Sequence, residues 1–279
     1  MKNILLGLFL FAAIELSAQI KVATPADFET FKKSKLLVVK IQNEFSPFNF
    51  AIEEVIKKNW TLSPYQVVDA AKIGDYRRKP GYAILTVKAA RFNDAPLIQY
   101  DMLTLELSNP KAQSEKDNPE LISVPLSYID DDSGNYDFKL EAFVRFIQLH
   151  VETCLKNKDL KENAILKYYK KNAPPLKDKI LYIGDGDLST EINSLEKIKS
   201  IYPYEVKFAT SDEIKKAIAD KDPKVVFLHK VGPAKTGKKA RCWKAVIGAA
   251  DGWLYYFDFH TIKPNKPDGF LKGDIEDLK

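Results

Sequence analysis

Short apolar runs alternate with amphipathic stretches along this chain, and the alternation occurs twice. KLLVVKI (35–41) is apolar at nearly every position and short, which predicts a buried strand. Ser46-Pro47 then supplies a helix N-cap and a first-turn proline, with Phe48, Ala51, Val55 and Ile56 on one helical face. YQVVD predicts a short strand, followed by a weak helix or turn over 70–76. YAILTVKA, YDMLTLELS and LISVPLSY predict three further strands. A long helix over 138–157 carries Leu140, Phe143, Val144, Ile147, Val151 and Cys154 at helical spacing.

The second half repeats this order. KILYIG (179–184) is a strand, and a helix after Ser189-Thr190 aligns Ile192, Leu195 and Ile198. YEVKFA is a strand, followed by a helix capped by Ser211 with Ile214 and Ile218 inward. KVVFLHKV, RCWKAVIGAA and WLYYFDFH are strands, and DGFLKGDIEDL is a short last helix. About 46 residues separate the first and third strands in each half, the spacing of a tandem duplication. The lysine-rich segment 158–177, interrupted by Pro174-Pro175, separates the halves, with Ala164, Leu166 and Tyr168-Tyr169 hinting that part of it packs. The expected organisation is a leader (1–18), a first α/β domain (19–157), this linker, and a second α/β domain (178–279).

A β-α-β-α-β-β-β order predicts an α/β fold: two tandem domains, each a mixed sheet covered by helices. LLVVKI, the helix from Pro47, SPYQVVDAAKI, and YAILTVKA with YDMLTLELS resemble the small α/β module of the TolB amino-terminal type, shared in outline by CsgG-like envelope proteins. The second half is less similar, and neither the TolB propeller nor the pore-forming hairpins of CsgG have a counterpart. The chain as a whole resembles secreted proteins of Bacteroidota. The resemblance implies an envelope location and work through protein contacts, and supplies no catalytic residue.

The first residues, MKNILLGLFLFAAIELSAQ, give a basic start, a short apolar core and a small-residue exit, the layout of a secretory signal peptide. The apolar run is shorter than the roughly 20 residues a membrane span requires, and no later stretch is apolar enough. An exported protein, periplasmic or extracellular, is the expectation. Cys154 and Cys242, the two cysteines of the chain, then become candidates for a disulfide, or else are small buried side chains.

GPAKTGKK (232–239) nearly spells a phosphate-binding loop. Position 239 is Lys rather than Ser or Thr, and strand-like residues follow where a helix is required, so no phosphate cradle and no cofactor are expected. What remains is a basic hairpin: Lys230, Lys235, Lys238, Lys239, Arg241 and Lys244, with no acid among them. Lys235, Lys238, Lys239 and Arg241 are candidates for an anionic glycan or lipid headgroup, against a solvated loop; nucleic acid is not expected, since no readout motif accompanies the charge.

Asp251-Gly252 predicts a two-residue hairpin turn. Pairing Ala250 with Trp253 puts Trp243 opposite His260 and Ala245 opposite Asp258, with His229 flanking, a minimal metal or acid–base set of His229, His260 and Asp258. Against it stands an ordinary pair of half-buried histidines. His150 reads as helix packing, DDDSGNYD (130–137) as a turn rather than a calcium loop, and GDGDLSTE (184–191) as a helix entry. The sequence favours an exported, non-catalytic binding or adaptor protein of the cell envelope, working through contacts with envelope proteins. The alternatives are a binder of an anionic ligand at the basic hairpin and a hydrolase without a recognised motif.

Overall fold

A strand that is apolar at successive positions must be covered on both faces. β1 (Lys35–Val39) is: Leu36 and Val38 enter the main core, while Leu37 and Val39 pack with Val68, Ile73 and Ile84 on the other side. The computed structural model describes residues 21–43, 45–128, 136–160, 164–234 and 237–279. The expected leader (1–18), residues 130–135 of the acidic turn, and Lys235 lie outside the described residues.

β1 pairs in parallel with β2 (Tyr65–Val68) and β3 (Tyr82–Phe92), and β4 (Ala95–Leu107) and β5 (Glu120–Tyr128) follow antiparallel. In the second half β6 (Ile180–Ile183) pairs in parallel with β7 (Glu205–Phe208) and β8 (Val225–Val231), followed by antiparallel β9 (Arg241–Gly248) and β10 (Leu254–Thr261). The sheet orders are β2-β1-β3-β4-β5 and β7-β6-β8-β9-β10, one topology used twice. The fold is α/β, with two five-stranded mixed sheets packed against helices.

Seven α-helices are seen among the described residues: α1 (Pro25–Phe31), α2 (Pro47–Asn59), α3 (Leu140–Lys156), α4 (Ile165–Asn172), α5 (Leu195–Ile201), α6 (Ser211–Ala219) and α7 (Lys272–Glu276). α2 begins as the sequence predicts, with the Ser46 hydroxyl accepting from Phe48 N at 3.3 Å. α1 was not foreseen; Asp27 holds its start by accepting from Thr24 N at 2.8 Å. Two predicted caps shift. α5 starts after Ser194, not Ser189-Thr190, because Ser189 N is engaged by Phe270 O at 3.0 Å. α6 is capped by Thr210, which exchanges bonds with Glu213, so Ser211 is its first helical residue.

α3 organises the packing. Leu140, Phe143, Val144, Ile147 and Val151 are fully buried, and at about 2 kcal/mol each contribute on the order of 10 kcal/mol of gross transfer free energy. The cluster they enter takes in Leu103, Leu105 and Val124 from the first sheet, and Phe227, Ala245 and Ile247 from the second. The two halves thus share one core. The opposite face of the second sheet is closed by Ile198, Phe270 and Ile275, so that sheet is covered on both sides. Residues 158–177, expected as a linker, include α4, whose buried Tyr169 packs edge-on against Trp253 at 5.6 Å. Among the described residues no helix is long and apolar enough to cross a membrane.

Polar clasps lock the shared core. The Arg145 guanidinium donates to Ala250 O and Ile218 O, both at 2.7 Å. Tyr100 Oη accepts from Arg241 N at 2.6 Å and donates to Arg241 O at 2.9 Å. Gly252 (φ +70°) lies against α3 so closely that a Cβ there would sit 2.5 Å from Phe146 N.

Candidate functional site

Alternation along β8, β9 and β10 decides which candidate side chains can meet. Cross-strand partners run His229–Ala245–Phe257 and Val231–Trp243–Phe259 on one face. Lys230–Lys244–Asp258 and Cys242–His260 lie on the other. The predicted register is therefore one residue out, for two local reasons. The β9–β10 connection is wider than a two-residue turn, closed by Gly248 N to Trp253 O at 2.9 Å. A bulge at Tyr255 then adds one residue to β10. The slip turns Asp258 and His260 away from His229, so the three do not form a site, and no metal-holding group of three His, Cys, Asp or Glu occurs among the described residues. His260 Nε2 instead contacts Pro267 O at 2.8 Å, and burial lowers its pKa.

Three of the six basic residues of the hairpin, Lys230, Arg241 and Lys244, are turned inward and paired with carboxylates. β9 follows β8 in chain order, and among the described residues no helix stands between them to receive a phosphate. Arg241 Nε bonds both carboxylate oxygens of Asp94, at 2.8 and 3.0 Å, and its guanidinium lies 4.0 Å from the Phe92 ring and 4.5 Å from that of Phe259. The guanidinium in turn holds the Asp94 carboxyl below its usual range. Lys230 pairs with Asp268 at 2.5 Å, and Lys244, buried, with Asp274 at 2.6 Å. Arg241 is thus a tie between the halves rather than an anion receptor, and Lys238 and Lys239 stay on the surface.

The cysteines are separate and free. Cys242 is buried on the His260 face, with its sulfur 3.3 Å from Gly269 N, whereas Cys154 lies on α3 with its sulfur 3.6 Å from His150 Nε2. The candidate disulfide is therefore absent, because different elements bury the two thiols in different places. Asp187 of the GDGDLSTE segment is buried, accepts from Gly184 N at 2.8 Å, and has its pKa raised by burial.

The structure does bring other residues together. A cavity of about 380 Å³ lies between the halves, within the roughly 300–1,000 Å³ usual for small-molecule sites. The second sheet lines it with His229, Trp243, Ala245, Ile247 and Phe257. β5 lines it with Leu121, Val124 and Pro125, and the helices with Phe146, His150, Cys154, Ile165 and Tyr169. Val22, Phe28, Lys158 and Leu166 also line it, the last 45% exposed.

Like Tyr169 and Lys244, the latter held by Asp274, His229 is a deeply buried polar group of the lining. Its Nε2 is 2.8 Å from Pro125 O, and a carbonyl only accepts, so Nε2 carries the proton. Burial, reinforced by the charges of Lys139 and Lys230, lowers its pKa to about 3. It is a neutral imidazole whose Nδ1 presents a lone pair. His150, read as packing from the sequence, is linked to Tyr169 Oη at 3.1 Å and to Cys154. Burial pushes His150 down to about 4 and the Cys154 thiol up to about 11. At neutral pH that pair is a thiol beside an uncharged imidazole, the reverse of an activated nucleophile.

The cavity was not legible as a site because its lining comes from both sheets, three helices (α1, α3 and α4) and the stretch before α1. Most of the lining residues read locally as core, and Lys158 and Leu166 as linker. The available signal was His150 with Cys154 at i, i+4 on an otherwise apolar helix face. No protein-family model matches the sequence, and no curated protein matches it.

Proposed function

We propose that this chain is a non-catalytic binding protein that holds a small, largely apolar molecule in the cavity between its two halves. The observation that supports this best is the cavity itself, an apolar space inside a core that is otherwise closed by α3 and both sheets. Its neutral histidines and protonated thiol favour holding over transforming. Export, expected from the leader, would give such a protein a role in the cell envelope or outside it.

The test is saturable binding of N-phenylnaphthylamine, whose fluorescence rises in apolar surroundings, to the full chain and to an Ala245→Phe variant that fills the cavity from β9. Saturable binding lost in a folded Ala245→Phe variant supports the proposal. Binding unchanged in that variant, or no saturable binding at all, sinks it.

A second reading keeps the envelope adaptor that works through protein contacts. The observation in its favour is exposed aromatic surface at the start of α2, Phe45 at 84% and Phe50 at 67% exposure. Cross-linking in the native envelope, with Phe45 and Phe50 changed to Ser as control, tests it: specific partners lost in the control would support an adaptor using this surface. Partners kept would move the contact elsewhere, and none would remove the reading.

A further inference from the structure

Burying a polar atom without a partner is unfavourable, so each such atom calls for an explanation. Among the described residues, two of the buried side-chain atoms that have no hydrogen-bond partner belong to residues lining the cavity: His229 Nδ1 and Trp243 Nε1. Both side chains are more than nine-tenths buried, at 4% and 8% exposure. The other two tryptophans are satisfied, Trp60 by Ser63 O at 3.1 Å and Trp253 by Tyr169 O at 3.2 Å. The histidines of the cavity differ in the same way, since His150 Nδ1 has Tyr169 Oη.

The two atoms are complementary. Trp243 Nε1 is always a donor. His229 Nδ1 is an acceptor, because the Pro125 carbonyl fixes the proton on Nε2. His229 pairs directly with Ala245, so Trp243, two residues along β9 on the same face, is its diagonal neighbour. Such neighbours lie about 7–8 Å apart, within reach of one another for aromatic side chains. Around them the lining is mostly apolar, with Pro125, Ala245, Phe257 and Ile247; of the nearby polar residues, Ser123 bonds Thr104 and Lys244 is paired with Asp274.

We infer that the cavity recognises an apolar molecule bearing an uncharged hydroxyl, which donates to His229 Nδ1 and accepts from Trp243 Nε1–H. This rests on the cavity being the binding site. The chemistry discriminates against near relatives. A carboxylate only accepts, so it sets its charge against the His229 lone pair in a low-dielectric space. An ether can accept from Trp243 but has no proton for His229. A hydrocarbon leaves both atoms unpaired.

Displacement of N-phenylnaphthylamine by decanol, its methyl ether and decanoate tests this on the full chain. Decanol is expected to compete about two- to tenfold better than the ether, the worth of one neutral hydrogen bond, and better than decanoate. In a Trp243→Phe variant, which keeps a ring and loses the N–H, affinities for alcohol and ether are both expected to fall by a similar factor while their ratio is kept. Equal competition by alcohol and ether, a preference for decanoate, or fluorophore that none of the three displaces would each overturn the hydroxyl inference while leaving a binding cavity. Alcohol and ether affinities unchanged in a folded Trp243→Phe variant would overturn it too. Absence of saturable fluorophore binding would overturn both the inference and the function it rests on.

Discussion

Replacing Arg145 by Met removes the clasp between α3 and the second half while keeping most of the side chain's apolar length. Two bonds of 2.7 Å are lost, to Ala250 O and Ile218 O, and charge-assisted bonds contribute about 1.5–3 kcal/mol each. Two partial compensations reduce the total. Ile218 O retains Lys221 N at 3.2 Å, and Glu141, which loses Arg145 at 3.4 Å, keeps Lys58 at 3.0 Å. Burial also works against the guanidinium charge, so a thioether is easier to desolvate. The expected net loss is about 3 kcal/mol, toward the low end of the gross sum. Equilibrium urea unfolding reads it, as a midpoint lowered by about 1 M at an m-value of about 3 kcal/mol/M. Far-UV circular dichroism and tryptophan fluorescence are expected to move together, since Trp60 lies in one half and Trp243 and Trp253 in the other. A loss below about 1 kcal/mol would refute the clasp. Two transitions in the native chain, only one of them shifted, would refute the single shared core behind it.

Two further outcomes follow from buried groups. His229 and His150, held at about 3 and about 4 when folded, ionise near 6.5 when unfolded, so the unfolded chain binds more protons below that pH. Stability is fully present above about pH 6.5 and falls as pH drops, by up to about 1.4 kcal/mol per unit for each histidine. Asp187, Asp101 and Asp137, raised by burial, oppose the trend, so the decisive comparison is with His150→Phe. His260, also lowered by burial, contributes to the same slope, so that variant is expected to lose about a third to a half of the histidine slope between pH 6.5 and 5, and an unchanged slope would refute the assignment. At Gly252, alanine combines a left-handed backbone with a Cβ 2.5 Å from Phe146 N, for a loss of about 2–5 kcal/mol. Gly81→Ala, at φ +83° with open space around it, is expected to cost only about 1–2 kcal/mol, and equal melting temperatures for the two variants would sink the close-packing argument.

The strands were legible because each is a short apolar or alternating run bounded by turn residues, and the repeated order gave the duplicated topology. α1 escaped because seven residues, PADFETF, carry two buried phenylalanines, too little for a period to emerge. Register failed at Tyr255, since a bulge is a property of how two strands meet and leaves no mark on either strand alone. Arg241 looked like surface charge because its partner, Asp94, is far away in the sequence on the β3–β4 hairpin. The cavity failed for the same reason on a larger scale: Pro125, His150 and Trp243 come from three separate elements, and nothing local distinguishes a residue facing a gap from one facing a neighbour.

The shared core also has a consequence in time. While the chain is being made, α3 is complete once Lys156 emerges, but Phe227, Ala245, Ile247 and Leu254 of its cluster follow as much as about 100 residues later. At about 5–20 residues per second, the first sheet waits roughly 5–20 s with part of its apolar surface uncovered. During that interval the nascent first half keeps an apolar face exposed to other chains, and that face closes only when β9 and β10 arrive.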